Sequence, residues 1–326
     1  MPAEWAPQDW IWIGFPHDRR EWGDHLLPAQ EEIAAFANAV AETGQEVRLV
    51  VRDAAVEARA KALVSAQVRL ERHPYGDVWL RDTGPLTLLG PDGSRRAQLF
   101  RFNGWGDKFV MEGDERTGES LAQSAGLDVA KADWILEGGA LDTDGTGLLV
   151  TTEQCLLNPN RNPSLSRDEI AARLGRELGF ERICWLGEGL RGDHTDGHVD
   201  NLARFVAPGT LALPVPSGDD PNAAIYADAR ERALAFGLTV RDVPSPGGMG
   251  EGDKVEPASF MNFAICNQIV VVPVYGTAHD EEAVAAIGDL FPGRAAVGLR
   301  ADAVLTGGGS FHCCSQHVPS VAPAGH

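Results

Sequence analysis

The sequence predicts an α/β fold built as a pseudo-symmetric ring or propeller of small sheets. Three observations carry that reading. Short hairpin patterns recur along the 326 residues, each tends to follow a motif with an acid or a histidine, and helical patterns follow several of them. A repeated strand-strand-helix unit buries its apolar faces against its neighbours, which favours a ring over one open sheet.

The elements follow in order. Segment 29–43 is alanine-rich, with apolar residues at helical spacing, and 46–51 reads as a strand. Residues 85–89 pass through Pro91-Asp92-Gly93 into 97–100, a hairpin. Residues 145–153 lead to 156–159 and read the same way, with 147–152 as the strand. Segment 167–178 is helical. Residues 202–206 pass a Pro-Gly turn into 211–214, and 223–236 is helical. Residues 263–265 pass Cys266-Asn267 into 269–273, within a strand over 269–274, and 281–290 is again helical. No long Gly/Ser or Pro linker divides the chain, so residues 1–326 are expected to form a single domain.

Composition narrows the function. A hydrophobic fraction of 44% is that of a globular protein. No apolar run reaches the ~18 residues a membrane helix needs. The start, Met1-Pro2-Ala3-Glu4-Trp5, lacks the layout of a secretory signal, so the expected compartment is the cytosol. A formal net charge of −19 disfavours nucleic-acid binding and favours a cationic small molecule. The five cysteines are odd in number and include no Cys-x-x-Cys pair, which argues against a disulfide framework or a structural zinc site. Cys155, Cys184 and Cys266 sit in apolar stretches and read as core.

The candidate chemistry lies in four motifs. Gly307-Gly308-Gly309-Ser310-Phe311-His312-Cys313-Cys314 places a thiol just after a tight glycine turn. In an extended strand His312 and Cys314 point away from the face of Cys313, so neither is expected to be its partner. His198 and Asp200 are two apart and on a strand would reach one face, the carboxylate favouring the imidazolium. His194 and His198 would suit a metal on a helix, but Thr195, Gly197 and Val199 argue against a helix there. Asp82, in Trp79-Leu80-Arg81-Asp82-Thr83-Gly84-Pro85, and Glu137, in Leu136-Glu137-Gly138-Gly139, are acids beside turn residues. Alone, Asp82 could pair with Arg81 or Arg101, and Glu137 could cap a turn. Together, three carboxylates match the planar, always-charged fork of a guanidinium.

These motifs resemble those of the agmatine deiminase family, shared with bacterial-type peptidyl-arginine deiminase, within the guanidine-modifying superfamily. The matching stretches run from Met1-Pro2-Ala3-Glu4-Trp5 through 77–85, Phe102-Asn103-Gly104-Trp105-Gly106, 136–139, 155–163 and 193–204 to 307–319. The resemblance implies a five-bladed pseudo-symmetric β/α propeller (pentein-type) with a central active site. It also implies Cys313 as nucleophile, His198 as acid and base, and Asp82, Glu137 and Asp200 as guanidinium ligands. Trp79 and Trp105 are candidates to stack on the rest of the substrate. The family usually carries Asn at 310, Ile at 311 and 314, and Thr at 315, where this chain has Ser310, Phe311, Cys314 and Ser315. It often has Gly at 107, where Asp107 stands here. Asp107 and the glycine-rich stretch 246–252 bear on the far end of the substrate rather than on the reaction.

The implied activity is hydrolysis of agmatine to N-carbamoylputrescine and ammonia, a step toward putrescine and other polyamines, with no metal or organic cofactor. The implied partners are a small cationic guanidine and a second copy of the chain in a homodimer, with no nucleic acid and no membrane. The alternatives are deimination of free or peptidyl arginine, amidino transfer to an amine, non-catalytic guanidine or polyamine binding, and a metal site on His194, His198 and Cys313.

Overall fold

The computed structural model describes residues 1–250 and 255–321; of the stretch 246–252, residues 251 and 252 lie outside them. Its strands fall into five small sheets, the blades of a β/α propeller. Strands β1 (Gln8–Gly14), β2 (Glu46–Val51) and β3 (Val68–Arg72) share a sheet with β16 (Ser315–Pro319). The second blade is β4 (Leu86–Leu89), β5 (Arg95–Arg101) and β6 (Asp128–Ile135). The third is β7 (Asp142–Thr143), β8 (Leu148–Thr152) and β9 (Arg182–Leu186). The fourth is β10 (Arg204–Ala207), β11 (Thr210–Val215) and β12 (Thr239–Pro244). The fifth is β13 (Ala264–Ile265), β14 (Ile269–Val274) and β15 (Ala295–Arg300).

One connection recurs. Within each blade a short first strand is antiparallel to the second, and the third is parallel to the second. A parallel neighbour needs a crossover, and a helix supplies it. These helices are α1 (Leu26–Glu42), α2 (Asp114–Ser124), α3 (Arg167–Leu178), α4 (Ala223–Phe236) and α5 (Asp280–Leu290). The first blade obeys the same rule only because β16 takes the place of the first strand, antiparallel to β1 with Ser315 opposite Ile13. The C-terminal strand therefore closes the ring onto the N-terminal one.

Local sequence explains the pieces. β14 is Ile269-Val270-Val271-Val272-Pro273-Val274, an unbroken apolar run with its first five residues buried, as a strand covered on both faces requires. Helix α3 buries Ile170, Leu174 and Leu178 at a four-residue spacing. It opens on a reciprocal Ser166–Glu169 capping box and ends at Gly179, whose φ of 83° is the left-handed conformation glycine tolerates. No described helix is long and apolar enough to cross a membrane.

Three expectations need correction. Segment 145–159 is not a hairpin: β8 runs into a short helix, Glu153–Leu156, and pairs instead with β7 before it. The Thr152 hydroxyl accepts the Cys155 N–H and starts that helix. Residues 311–314 form turns rather than extended strand, the Cys314 N–H reaching the Ser310 carbonyl at 3.0 Å. Asp200 lies in a single 3₁₀ turn, Val199–Asn201, and not on a strand. Replacing Ser166 by Ala should lower unfolding free energy by about 1 kcal/mol through the lost cap, read as a shifted urea midpoint with activity per folded molecule unchanged. An unmoved midpoint would show that the box does not hold the start of α3.

Candidate active site

The turn that leads into the first strand of each blade delivers one polar side chain to the hub. Asp82 precedes β4, Glu137 precedes β7, Asp200 precedes β10, Asn262 precedes β13 and Cys313 precedes β16. Glu137, His198 and Asp200 are fully buried, and Cys313 keeps 5% of its surface. Cys313 opens into a cavity of about 140 Å³ that also touches Glu21, Trp22, Asp77, Trp79, Asp82 and Trp105.

The glycines beside the motifs are there for space. A Cβ on Gly309 would sit 2.6 Å from the Trp79 ring and 3.1 Å from the Cys313 sulfur. One on Gly139 would sit 2.5 Å from His198 Nδ1, and one on Gly138 2.1 Å from the Arg81 carbonyl oxygen. Real side chains do not fit at these distances, so both glycine runs allow the Cys313 and Glu137 turns to close on their neighbours.

Around the thiol, the Asn262 amide donates to Cys313 Sγ at 2.9 Å, and Sγ lies 3.4 Å from Asp200 Oδ2. Asn262 Oδ1 accepts the backbone N–H of His312 at 3.1 Å and of Cys313 at 3.3 Å. Asp82 Oδ1 accepts the Gly139 N–H at 2.8 Å and Oδ2 the Trp105 indole N–H at 2.9 Å. The His198 ring nitrogen Nδ1 lies 3.7 Å from Asp82 Oδ1. Glu137 accepts from Arg161 Nε at 2.6 Å, and Arg161 is held in turn by Asp196 at 2.7 Å. Neither neighbour expected to pair with Asp82 does so: Arg81 lies 3.5 Å from Glu4. The indole of Trp79 donates to Asp77 at 2.9 Å.

Several buried polar atoms have no partner among the described residues: Glu137 Oε2, Asp200 Oδ1 and both ring nitrogens of His198. Such atoms cost free energy unless a ligand satisfies them. Electrostatics point the same way. Burial pushes the Cys313 thiol well above its ordinary pKa, and the Asp200 and Asp82 carboxylates push it further. Burial opposes charging His198, but Asp82, Cys155 and Glu137 outweigh it and hold its pKa well above the usual histidine range. Burial also raises Asp82, with Asp200 and Glu137 adding to the shift and His198 opposing it. Burial acts against Asp200 too, yet the His312 hydrogen bond and charge bring its pKa below the ordinary value. A bound planar cation would satisfy the carboxylates and ease ionisation of the thiol, while His198 can supply a proton.

Sequence reasoning missed Asn262, Arg161, Glu4 and His312. Asn262 carried a signal, since it stands before the hairpin at 263–273 as the acids stand before theirs. Cys155 is buried as expected, yet its sulfur, a Glu137 oxygen and a His198 nitrogen lie within 4.8 Å of one another. These three are the metal-type ligands that converge among the described residues, in place of His194, His198 and Cys313. The Arg161 cation on Glu137 works against a metal ion there. Cys314 is turned away, its thiol 2.9 Å from the Ser310 carbonyl.

The family described as Porphyromonas-type peptidyl-arginine deiminase matches residues 1–319. An agmatine deiminase of Stutzerimonas stutzeri is 34% identical, over 98% of this chain and 95% of its own. The agmatine deiminase of Enterococcus faecalis superposes with a TM-score of 0.92 at 30% identity, covering 99% of this chain and 96% of that one. A cysteine-to-serine variant of the C. jejuni agmatine deiminase, with substrate bound, gives 0.91 at 28% identity over 98% and 96%.

An alkylating agent carrying an amidinium should modify Cys313 at neutral pH at least roughly tenfold faster than neutral iodoacetamide, measured by peptide mapping. Equal rates would mean that the carboxylates do not govern the thiol.

Proposed function

The chain belongs to the Porphyromonas-type peptidyl-arginine deiminase family, and from that premise we propose that it hydrolyses agmatine to N-carbamoylputrescine and ammonia, on the route to putrescine. One observation carries the choice of substrate. Among the described residues, the cavity at Cys313 is lined by Glu21, Asp77 and Asp82 and by no lysine or arginine. An extended guanidine with a second cationic end suits that wall. The carboxylate of free arginine would meet acids instead.

The guanidinium lies among Asp82, Glu137 and Asp200, which sets its central carbon against the Cys313 sulfur. Its charge offsets the carboxylates that keep the thiol protonated, the thiol releases its proton to solvent, and the thiolate forms. The sulfur attacks, the C–N π bond opens, and a tetrahedral adduct results. Imidazolium His198 protonates one nitrogen, the C–N bond breaks and ammonia leaves, with an amidino group now on sulfur. Neutral His198 then takes a proton from water as the oxygen attacks the same carbon. A second tetrahedral adduct collapses: the C–S bond breaks, the hydroxyl proton passes to the departing sulfur to restore the thiol, and the ureido product leaves. The Asn262 amide steadies the thiolate at its formation and at its release. Trp79 and Trp105 wall the substrate, their indoles also orienting Asp77 and Asp82. We place the enzyme in the cytoplasm, as a homodimer, on the family resemblance.

Ureido product and ammonia should appear from agmatine and not from free arginine or a blocked arginyl peptide. Cys313→Ala should abolish turnover and Cys314→Ala should retain it. Asp200→Asn should lower kcat/KM by about 3 kcal/mol of transition-state stabilisation. A Cys314 variant as inactive as the Cys313 variant would overturn the assignment of the nucleophile. Turnover of free arginine in place of agmatine would overturn the substrate.

A further inference from the structure

Behind the nucleophile lies a chain of buried charges that the reaction scheme leaves unused. His312 Nδ1 lies 2.7 Å from Asp200 Oδ2, and His312 Nε2 lies 2.8 Å from Glu4 Oε2. The same Glu4 oxygen accepts Arg204 Nη2 at 2.9 Å and faces Arg81 Nη2 at 3.5 Å, while its other oxygen accepts the Ile265 N–H at 2.8 Å. Arg204 also pairs with Asp142. Asp200 Oδ2 faces the Cys313 sulfur, and Asp200 Oδ1 is free of partners among the described residues. His312 keeps 1% of its surface, so water does not mediate these contacts.

An ionised carboxylate only accepts hydrogen bonds, and neutral imidazole has one donor. A ring with a carboxylate oxygen at each nitrogen must donate from both, which makes it an imidazolium. We propose that Glu4, His312 and Asp200 form a positioning relay, in which the charged ring of His312 keeps Asp200 ionised and turned with Oδ1 toward the guanidinium. Because His312 is the residue before Cys313, the relay also sets Asp200 at a fixed distance from the nucleophile. Glu4, nearly the whole chain away in sequence, holds the ring from the other side. The charged and titratable groups facing this assembly are Arg81, Arg204, Asp142, Asp82, His198, the Cys313 thiol and His317, which burial keeps neutral. The inference rests on the reading of Cys313 as nucleophile and of Asp200 as guanidinium ligand.

His312→Gln and the isosteric Glu4→Gln test it, each followed by thermal unfolding and by two pH profiles. The first profile is kcat/KM for the guanidine that the wild type turns over. The second is alkylation of Cys313 by iodoacetamide, which needs no turnover and so reads the relay even if the substrate assignment fails. In His312→Gln, Asp200 loses its cation. The acid limb of kcat/KM should rise by about one pH unit or more, and alkylation should need a similarly higher pH. KM should rise with the loss of a charged guanidinium ligand, and kcat/KM should fall roughly ten- to a hundredfold. In Glu4→Gln, the ring keeps its bond to Asp200 but loses one counter-charge, so the alkaline limb should move to lower pH while the acid limb stays. A purely structural role would lower the melting temperature and leave both limbs where the wild type has them, and that result overturns the proposal. Should His312→Gln not fold, the alkaline limb of Glu4→Gln decides.

Discussion

Negative charge is buried at the hub of this propeller, and each carboxylate there must find a partner. An unpaired carboxylate removed from water costs several kcal/mol. The structure answers with fixed cations and donors. Arg161 serves Glu137, the Trp105 indole and a backbone amide serve Asp82, and His312 serves Asp200. Arg204 and Arg81 serve Glu4. One oxygen each of Glu137 and Asp200 and both ring nitrogens of His198 stay without a partner among the described residues, and that unmet hydrogen bonding is what we propose a guanidinium meets.

The fold makes this arrangement repeatable. Each blade starts with a short strand, and the turn before it aims a side chain at the axis. Five such turns supply Asp82, Glu137, Asp200, Asn262 and Cys313. The last depends on ring closure, because β16 reaches its place only by pairing with β1. Cys313 therefore sits beside the strand that completes the propeller, and its neighbour His312 is tied to Glu4, which precedes β1. Closure of the fold and alignment of the site share the same contacts.

Much of this was legible in the sequence because it is local. The α3 and α4 segments match at both ends, as do β2 and β14, since apolar periodicity and turn residues mark them. The thiol, the histidine and the three acids were visible as motifs, and the structure brings them to one hub. The errors have a common cause. Reading 311–314 and 198–200 as extended strand applied a local rule where tertiary hydrogen bonds dictate tight turns. Arg161 sits within a quoted stretch, yet nothing in its surroundings marks it as the partner of an acid 24 residues away. Glu4 and His312 are 308 residues apart, and only closure of the ring makes them neighbours. Asn262 lacks charge and motif, so only the blade-by-blade equivalence singles it out.

Covalent catalysis by Cys313 is the central claim, and a rapid acid quench during the first turnover of agmatine, with peptide mapping by mass, tests it most directly. The account predicts a transient adduct with the mass of substrate less ammonia, on the peptide containing Cys313 and on that sulfur. Product rising in step with substrate loss, with no adduct at any time or with an adduct on another residue, would contradict it.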